Sequence, residues 1–204
     1  MIDWLISLFF PEKCINCGLW GSYVCKKCQV GIWEAEPLRA LDGLICLWAY
    51  EGLAQKIIKK AKYQGQYDLL KFLVLSSKFE INNQISKFLN NTNSIVPVPL
   101  FKKRLKERGF NQAEIIAKEI SRVYKVPVAN LLLRIRDTGH QVGRTRAERL
   151  NALKDAFVFD FGYQIPNTVL LVDDVWTTGT TMKECYKVLK KAGIKKVYGL
   201  VLAR

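Results

Sequence analysis

Thirteen consecutive residues constrain this chain more than any other feature: Val169-Leu170-Leu171-Val172-Asp173-Asp174-Val175-Trp176-Thr177-Thr178-Gly179-Thr180-Thr181. Four apolar residues without polar alternation predict a strand covered on both faces, the habit of parallel sheets. Two carboxylates follow at its C-terminal edge, where open α/β sheets take their ligands. Neighbouring acids there can accept hydrogen bonds from the vicinal hydroxyls of a ribose. The Thr/Gly segment leads into a helix predicted over 180–192. Its N-terminal N–H groups and hydroxyls form an anion site suited to a terminal phosphate. Gly179 lets the backbone approach closely. The competing reading is a chance strand–turn–helix with solubilising acids. No Gly-x4-Gly-Lys or Gly-x-Gly-x-x-Gly run offers another phosphate loop.

The rest of the chain supplies the matching sheet. Apolar runs predict strands over 44–50, 95–98 and 196–202. Helical spacing predicts helices over 52–63, 66–79, 81–89 and 110–124. Strand and helix alternate through the second half, which is the pattern of a parallel α/β sheet flanked by helices. With 204 residues, half of them hydrophobic, the chain can bury one core and carry one small module. That excludes a disordered or fibrous protein.

The module is read from cysteine spacing. Cys14-x2-Cys17-x7-Cys25-x2-Cys28 gives two knuckles of two thiols each. Four sulfurs about 2.3 Å from one ion make a closed tetrahedral zinc site, structural because no position is left for water. The alternatives are two disulfides or inert buried thiols. Gly18 sits where a knuckle needs a permissive backbone. Cys46, in a strand, and Cys185, in a helix, read as core thiols. The expected division is a module over 1–43 and an α/β domain over 44–204. Ile2, Leu5, Ile6 and Phe9 repeat at helical spacing before the module. They predict an amphipathic helix that docks on the body of the protein or lies on a membrane surface, too short to span one. No secretory signal is recognised, so the expected location is the cytoplasm, at most peripheral to the inner face of the membrane.

Thirty-two Lys and Arg stand against 18 Asp and Glu, a formal net charge of +14. A chain this basic attracts polyanions: nucleic acid, an acidic lipid surface or a phosphorylated small molecule. The excess is uneven. Residues 99–151 carry thirteen basic and five acidic groups, whereas residues 1–48 carry four and five. A basic loop after the 95–98 strand holds Lys102, Lys103, Arg104, Lys106 and Arg108. A second tract, over 134–149, holds Arg144 and Arg146 and reads as a mobile loop able to close over phosphate. Phe101, Phe110 and Tyr124 lie close enough in sequence to stack bases between phosphate contacts. Each arginine taken singly is as readily a solvated face. His140, in the second tract, reads as a bystander.

The 169–181 run resembles the ribosyl-phosphate signature of the type I phosphoribosyltransferases. That resemblance implies that Asp173 and Asp174 hold the ribose hydroxyls of phosphoribosyl pyrophosphate (PRPP), accompanied by Mg²⁺. It also implies that Thr177, Thr178, Gly179, Thr180 and Thr181 wrap the 5′-phosphate, with the basic loops at the pyrophosphate. An ordered series then resembles the ComF family. The series comprises the cysteine knuckles, Tyr50-Glu51-Gly52, Lys62-Tyr63-Gln64-Gly65, Val96-Pro97-Val98-Pro99, Arg108-Gly109-Phe110-Asn111-Gln112, Gln141, Arg149, Asn151, Phe157 and the 169–181 loop. The resemblance implies a zinc-ribbon-like module of four cysteines on a type I phosphoribosyltransferase-like fold. It also implies a part in natural transformation, with single-stranded DNA and other competence proteins as partners. No nucleobase acceptor site is recognisable, so an active transferase is the alternative expectation and no catalytic residue is assigned.

Overall fold

The computed structural model describes residues 13–29, 40–76, 86, 88–137 and 153–204. The first helix, the start of the 81–89 helix, and the second basic tract from 138 to 152 lie outside them, and with that tract Arg144, Arg146, His140, Gln141, Arg149 and Asn151. In chain order the elements are α1 (Lys26–Gln29), β1 (Leu44–Trp48), α2 (Gly52–Gln64), α3 (Asp68–Ser76), β2 (Ser94–Pro97), α4 (Lys102–Arg108), α5 (Gln112–Tyr124), β3 (Leu132–Arg134), β4 (Phe157–Phe159), β5 (Thr168–Val175), α6 (Thr180–Lys191) and β6 (Lys196–Ala203).

Four strands form one parallel sheet in the order β1-β6-β5-β2. Its strands are apolar on both faces because both are covered, and the period-2 alternation sorts the side chains into two cores. Ile45, Leu47, Ile95, Leu170, Val172, Leu200 and Leu202 pack on one face with buried residues of α2, α3 and α5. Leu44, Val96, Val169, Leu171, Val197 and Val201 pack on the other with Met182, Cys185 and Leu189 of α6. Cys14, Val24, Cys25 and Cys28 join the first of these cores, so the cysteine module is seated on the sheet's α2 face.

Two elements depart from the expectation. The basic stretch after β2 is the helix α4, not a loop. Lys, Arg, Glu and Leu are good helix formers, and Gly109 ends the helix in a left-handed turn (φ +79°). None of its residues is buried, which is why apolar periodicity gave no sign of it. A short antiparallel pair, β3 with β4, was too brief to be read from sequence; it packs beside α6.

Candidate functional site

The C-terminal ends of the parallel strands, together with the N-terminus of α6 and the start of α4, build one edge. Pairing with β6 continues through Asp173↔Val201 to Val175↔Ala203, so both acids lie inside β5 and not on a loop beyond it. Consecutive residues of a strand face opposite sides, and their partners differ accordingly. Asp174 Oδ2 is 2.7 Å from Lys62 Nζ, which comes from α2. Asp173 feels Arg134, at the end of β3, and its Oδ1 accepts the Asp174 backbone N–H at 2.8 Å. Asp174 therefore has a paired cation on the α2 side, whereas Asp173 feels Lys62 first and Arg134 after it.

The electrostatics are tight. Burial, reinforced by the Asp174 charge, pushes the Asp173 carboxyl up to about 7 against the pull of the Asp174 N–H, Lys62 and Arg134. Burial alone would lower the Lys62 ammonium, but Asp174, helped by Asp173, holds it above the ordinary lysine range. Burial pulls the Arg134 guanidinium down, and Arg104 adds to the effect by like-charge repulsion. Arg104 thus faces this cluster from α4.

After β5 the chain turns through Trp176, Thr177 and Thr178 to Gly179, whose φ of +71° places it at the N-cap of α6. Trp176 is buried, and a Cβ on Gly179 would be driven into its indole ring. The turn therefore needs glycine for both its backbone angle and its space. The hydroxyls of Thr178 and Thr180 are 2.8 Å apart and bonded to one another. Asp173, Thr177, Thr178, Gly179, Thr180 and Thr181 line a small hollow over the helix N-terminus, where free N–H groups favour an anion.

The basic helix reaches this edge by register. Pro97 pairs with Val172, and the Val98 N–H donates to the Val172 carbonyl at 2.9 Å. The chain thus leaves β2 beside the acids and enters α4 directly. Lys102, Lys103 and Lys106 are exposed there, and Arg104 and Arg108 half-buried. Asn111 explains part of the motif that follows. Its Oδ1 caps α5 through the Ala113 N–H, and its Nδ2 donates to the Val98 carbonyl at 3.0 Å, clasping α5 to the end of β2. Tyr124 packs against the core with its hydroxyl buried, which removes it from the base-stacking candidates. Lys62 and Arg134 were not assigned to the site from sequence. The sign of Lys62 was its place in Lys62-Tyr63-Gln64-Gly65, and Arg134 opened the second basic tract.

At the far end of the chain the sulfurs of Cys14, Cys17, Cys25 and Cys28 all lie within 4.8 Å of one another and could hold a metal ion. A tetrahedral zinc–thiolate site with bonds of about 2.3 Å has sulfur–sulfur edges of about 3.8 Å, and Cys17 and Cys25 are already 3.6 Å apart. The cysteines are free thiols. The Cys25 N–H points at the Cys14 sulfur, and the Asn16 amide at that of Cys28, each at 3.5 Å. Burial pushes the Cys14 thiol up, but N–H groups of Cys17, Cys25 and Asn16 outweigh it and hold it at about 6. The Leu19 N–H lowers Cys17, yet the three surrounding sulfurs raise it to about 11. Four crowded sulfurs resist ionising together until a cation joins them, which is the donor set a zinc ion fits.

Comparison with known proteins agrees with this layout. Residues 105–204 match the family model described as "Phosphoribosyl transferase domain". The chain is 31% identical over 205 residues to Competence protein F of Haemophilus influenzae, covering 96% of this chain and 85% of that one. It is 29% identical over 194 residues to Competence protein ComFC of Streptococcus pneumoniae (95% and 81% covered). It is 26% identical over 193 residues to DNA utilization protein YhgH of Escherichia coli K12 (94% and 83%). Among the described residues no helix is long and apolar enough to cross a membrane.

Proposed function

The chain belongs to the Competence protein F family, and from that premise we propose that it handles incoming single-stranded DNA in natural transformation while binding PRPP or a similar phosphorylated ligand at the β5–α6 edge. The observation that carries the reading is the placement of α4. Its exposed lysines stand at the exit of β2, beside the acids and the helix N-terminus. One edge thus offers a sugar-phosphate pocket and a cationic track. In this reading Asp173 and Asp174 accept from the ribose hydroxyls, Thr177 to Thr181 take the 5′-phosphate, and Lys102, Lys103, Arg104, Lys106 and Arg108 meet pyrophosphate or DNA phosphates. Mg²⁺ would accompany PRPP. Zinc held by Cys14, Cys17, Cys25 and Cys28 would brace the sheet, since three of those cysteines share its core.

Calorimetry with PRPP/Mg²⁺ and with a short oligonucleotide, singly and then in sequence, tests both halves. Two binding events are expected, the DNA event losing about 10³ in affinity between about 50 and 200 mM salt if six phosphates are met. Absence of single-strand binding, or indifference to salt, would remove the DNA half. Absence of PRPP binding would remove the other.

The match to a phosphoribosyltransferase model supports a second reading, transfer of ribose 5-phosphate from PRPP to an acceptor. It requires pyrophosphate release with some base or amine, lost in Asp174→Ala. PRPP binding without turnover across a broad acceptor panel would decide against it.

A further inference from the structure

Three aromatic rings stand together on the surface one residue away from the Lys62–Asp174 pair. Tyr63, the next residue of α2, is 68% exposed, and Tyr67, in the turn between α2 and α3, is 44% exposed. The Tyr67 ring meets that of Phe110 at 5.6 Å between centroids, tilted by 57°. Two cations are interleaved with them. The Arg108 guanidinium sits 5.9 Å from the centre of the Tyr63 ring, and Lys71 Nζ, paired with Asp68 at 2.7 Å, sits 5.5 Å from that of Tyr67. Left-handed glycines hold the two turns that carry the rings, Gly65 after α2 and Gly109 after α4. The patch therefore adjoins the end of the cationic helix α4.

Packing does not account for this arrangement. The tilted Tyr67–Phe110 contact could fasten the two turns together, but Tyr63 leaves most of its ring in water. An apolar protein partner would have to strip Arg108 and the Lys71–Asp68 pair of water while covering the rings. A nucleic-acid strand needs no such sacrifice, since its bases present π faces to the rings and a phosphate can meet Arg108.

We propose that Tyr63, Tyr67 and Phe110 form a stacking platform on which successive bases of a single strand rest, with Arg108 at an adjoining phosphate. This rests on the reading that the protein handles single-stranded DNA. It adds where the bases sit, and it separates base contacts from the phosphate contacts of α4.

The test uses the full-length protein and two fluorescent strands of equal length, oligo(dT) and a strand of abasic sites, followed by anisotropy. The wild type should favour oligo(dT). The Tyr63→Ala/Tyr67→Ala variant should bind oligo(dT) more weakly by about 30-fold or more, at about fivefold or more per ring. Its affinity for the abasic strand and its salt dependence should be unchanged, because no phosphate contact is removed. Tyr63→Phe/Tyr67→Phe should restore the preference, and it controls for folding because it keeps the rings. Equal losses on both strands, or no loss, would overturn the platform. So would abolition of self-association by the same variants with DNA binding intact, which would make the rings a protein contact. If the wild type binds neither strand, the DNA-handling reading itself fails. If it binds both strands equally and Lys102→Gln/Lys103→Gln/Lys106→Gln removes that binding, the reading stands and the platform alone falls.

Discussion

Replacing Asp173 by Asn should change how the stability of this protein depends on pH. A carboxyl that titrates near 7 in the folded chain, against an ordinary 3.8, binds more protons folded than unfolded between those limits. Its ionisation therefore destabilises the fold, by nothing below the lower limit and by a growing amount until the upper one is passed. Each pH unit crossed is worth about 1.4 kcal/mol, so the whole window has a ceiling of about 4 kcal/mol. Asp173 retains some exposure, and Lys62 and Arg134 can turn toward the charge, so about half of that ceiling, ~2 kcal/mol, is the expected effect. Asn keeps an oxygen for the Asp174 N–H and never ionises. Urea titrations of both proteins from about pH 4.5 to 8.5 give the variant-minus-parent difference. It should rise by about 2 kcal/mol across the range, equivalent to roughly 4–8 °C in Tm, and level off above neutrality. The cysteine cluster is the same in both proteins, so its contribution cancels. A difference flat with pH would refute the raised Asp173. A variant less stable than the parent by the same amount across the whole range would mean that Asp173 is an ordinary, stabilising ion-pair partner.

Lys62→Met leaves the Asp174 carboxylate buried without its 2.7 Å partner and should cost about 2–3 kcal/mol, somewhat less than a fully buried pair. Adding Asp174→Asn should recover most of that loss in a double-mutant cycle, and additive losses would mean that the pair does not couple. Gly179→Ala should cost about 2–4 kcal/mol in denaturant midpoint, from the left-handed backbone and from displacing the Trp176 ring. Gly65→Ala, equally left-handed but in open space, should cost only about 1–2 kcal/mol; equal costs would remove the ring from the account. Stripping metal from the cysteine cluster should lower Tm of the whole chain by more than about 10 °C, because Cys14, Cys25 and Cys28 share a core with the sheet. Elemental analysis should find one zinc per chain, and an unchanged melt after chelation would count against a structural metal.

The sheet was legible because burial on two faces leaves a sequence signature. Val169 to Val172 are fully buried, and alternate members of the run enter opposite cores. The cysteine spacing was legible for a similar reason, since two knuckles need little more than their own loops to converge. The α4 helix was not legible, because a surface helix without an apolar stripe looks like any charged segment. Nor was the divergence of the two acids. Nothing in Asp173-Asp174 says that β6 keeps pairing past them, and it is this pairing that turns one carboxylate toward α2 and the other to the opposite face. Lys62 and Arg134 enter the site from distant parts of the chain, so only the assembled sheet brings them in.

That divergence changes what the basic residues have to do. Lys62 is positive but already stands against Asp174, and the charge of Arg134 bears on Asp173, so both cations are in part offset before any ligand arrives. A ligand bringing a sugar diol can share those acids, yet its phosphates add charge that Lys62 and Arg134 are poorly placed to neutralise. The α6 N-terminus supplies about half a positive charge, enough for part of one phosphate. The remainder has to come from side chains without a carboxylate at hand, and the exposed lysines of α4 stand at the same edge. The affinity of the edge for a polyphosphorylated ligand should therefore fall more on neutralising Lys102, Lys103 and Lys106 together than on Lys62→Met, even though Lys62 lies nearer the acids. The opposite ranking would mean that the Lys62–Asp174 pair opens on binding and that Lys62 itself turns to the phosphate.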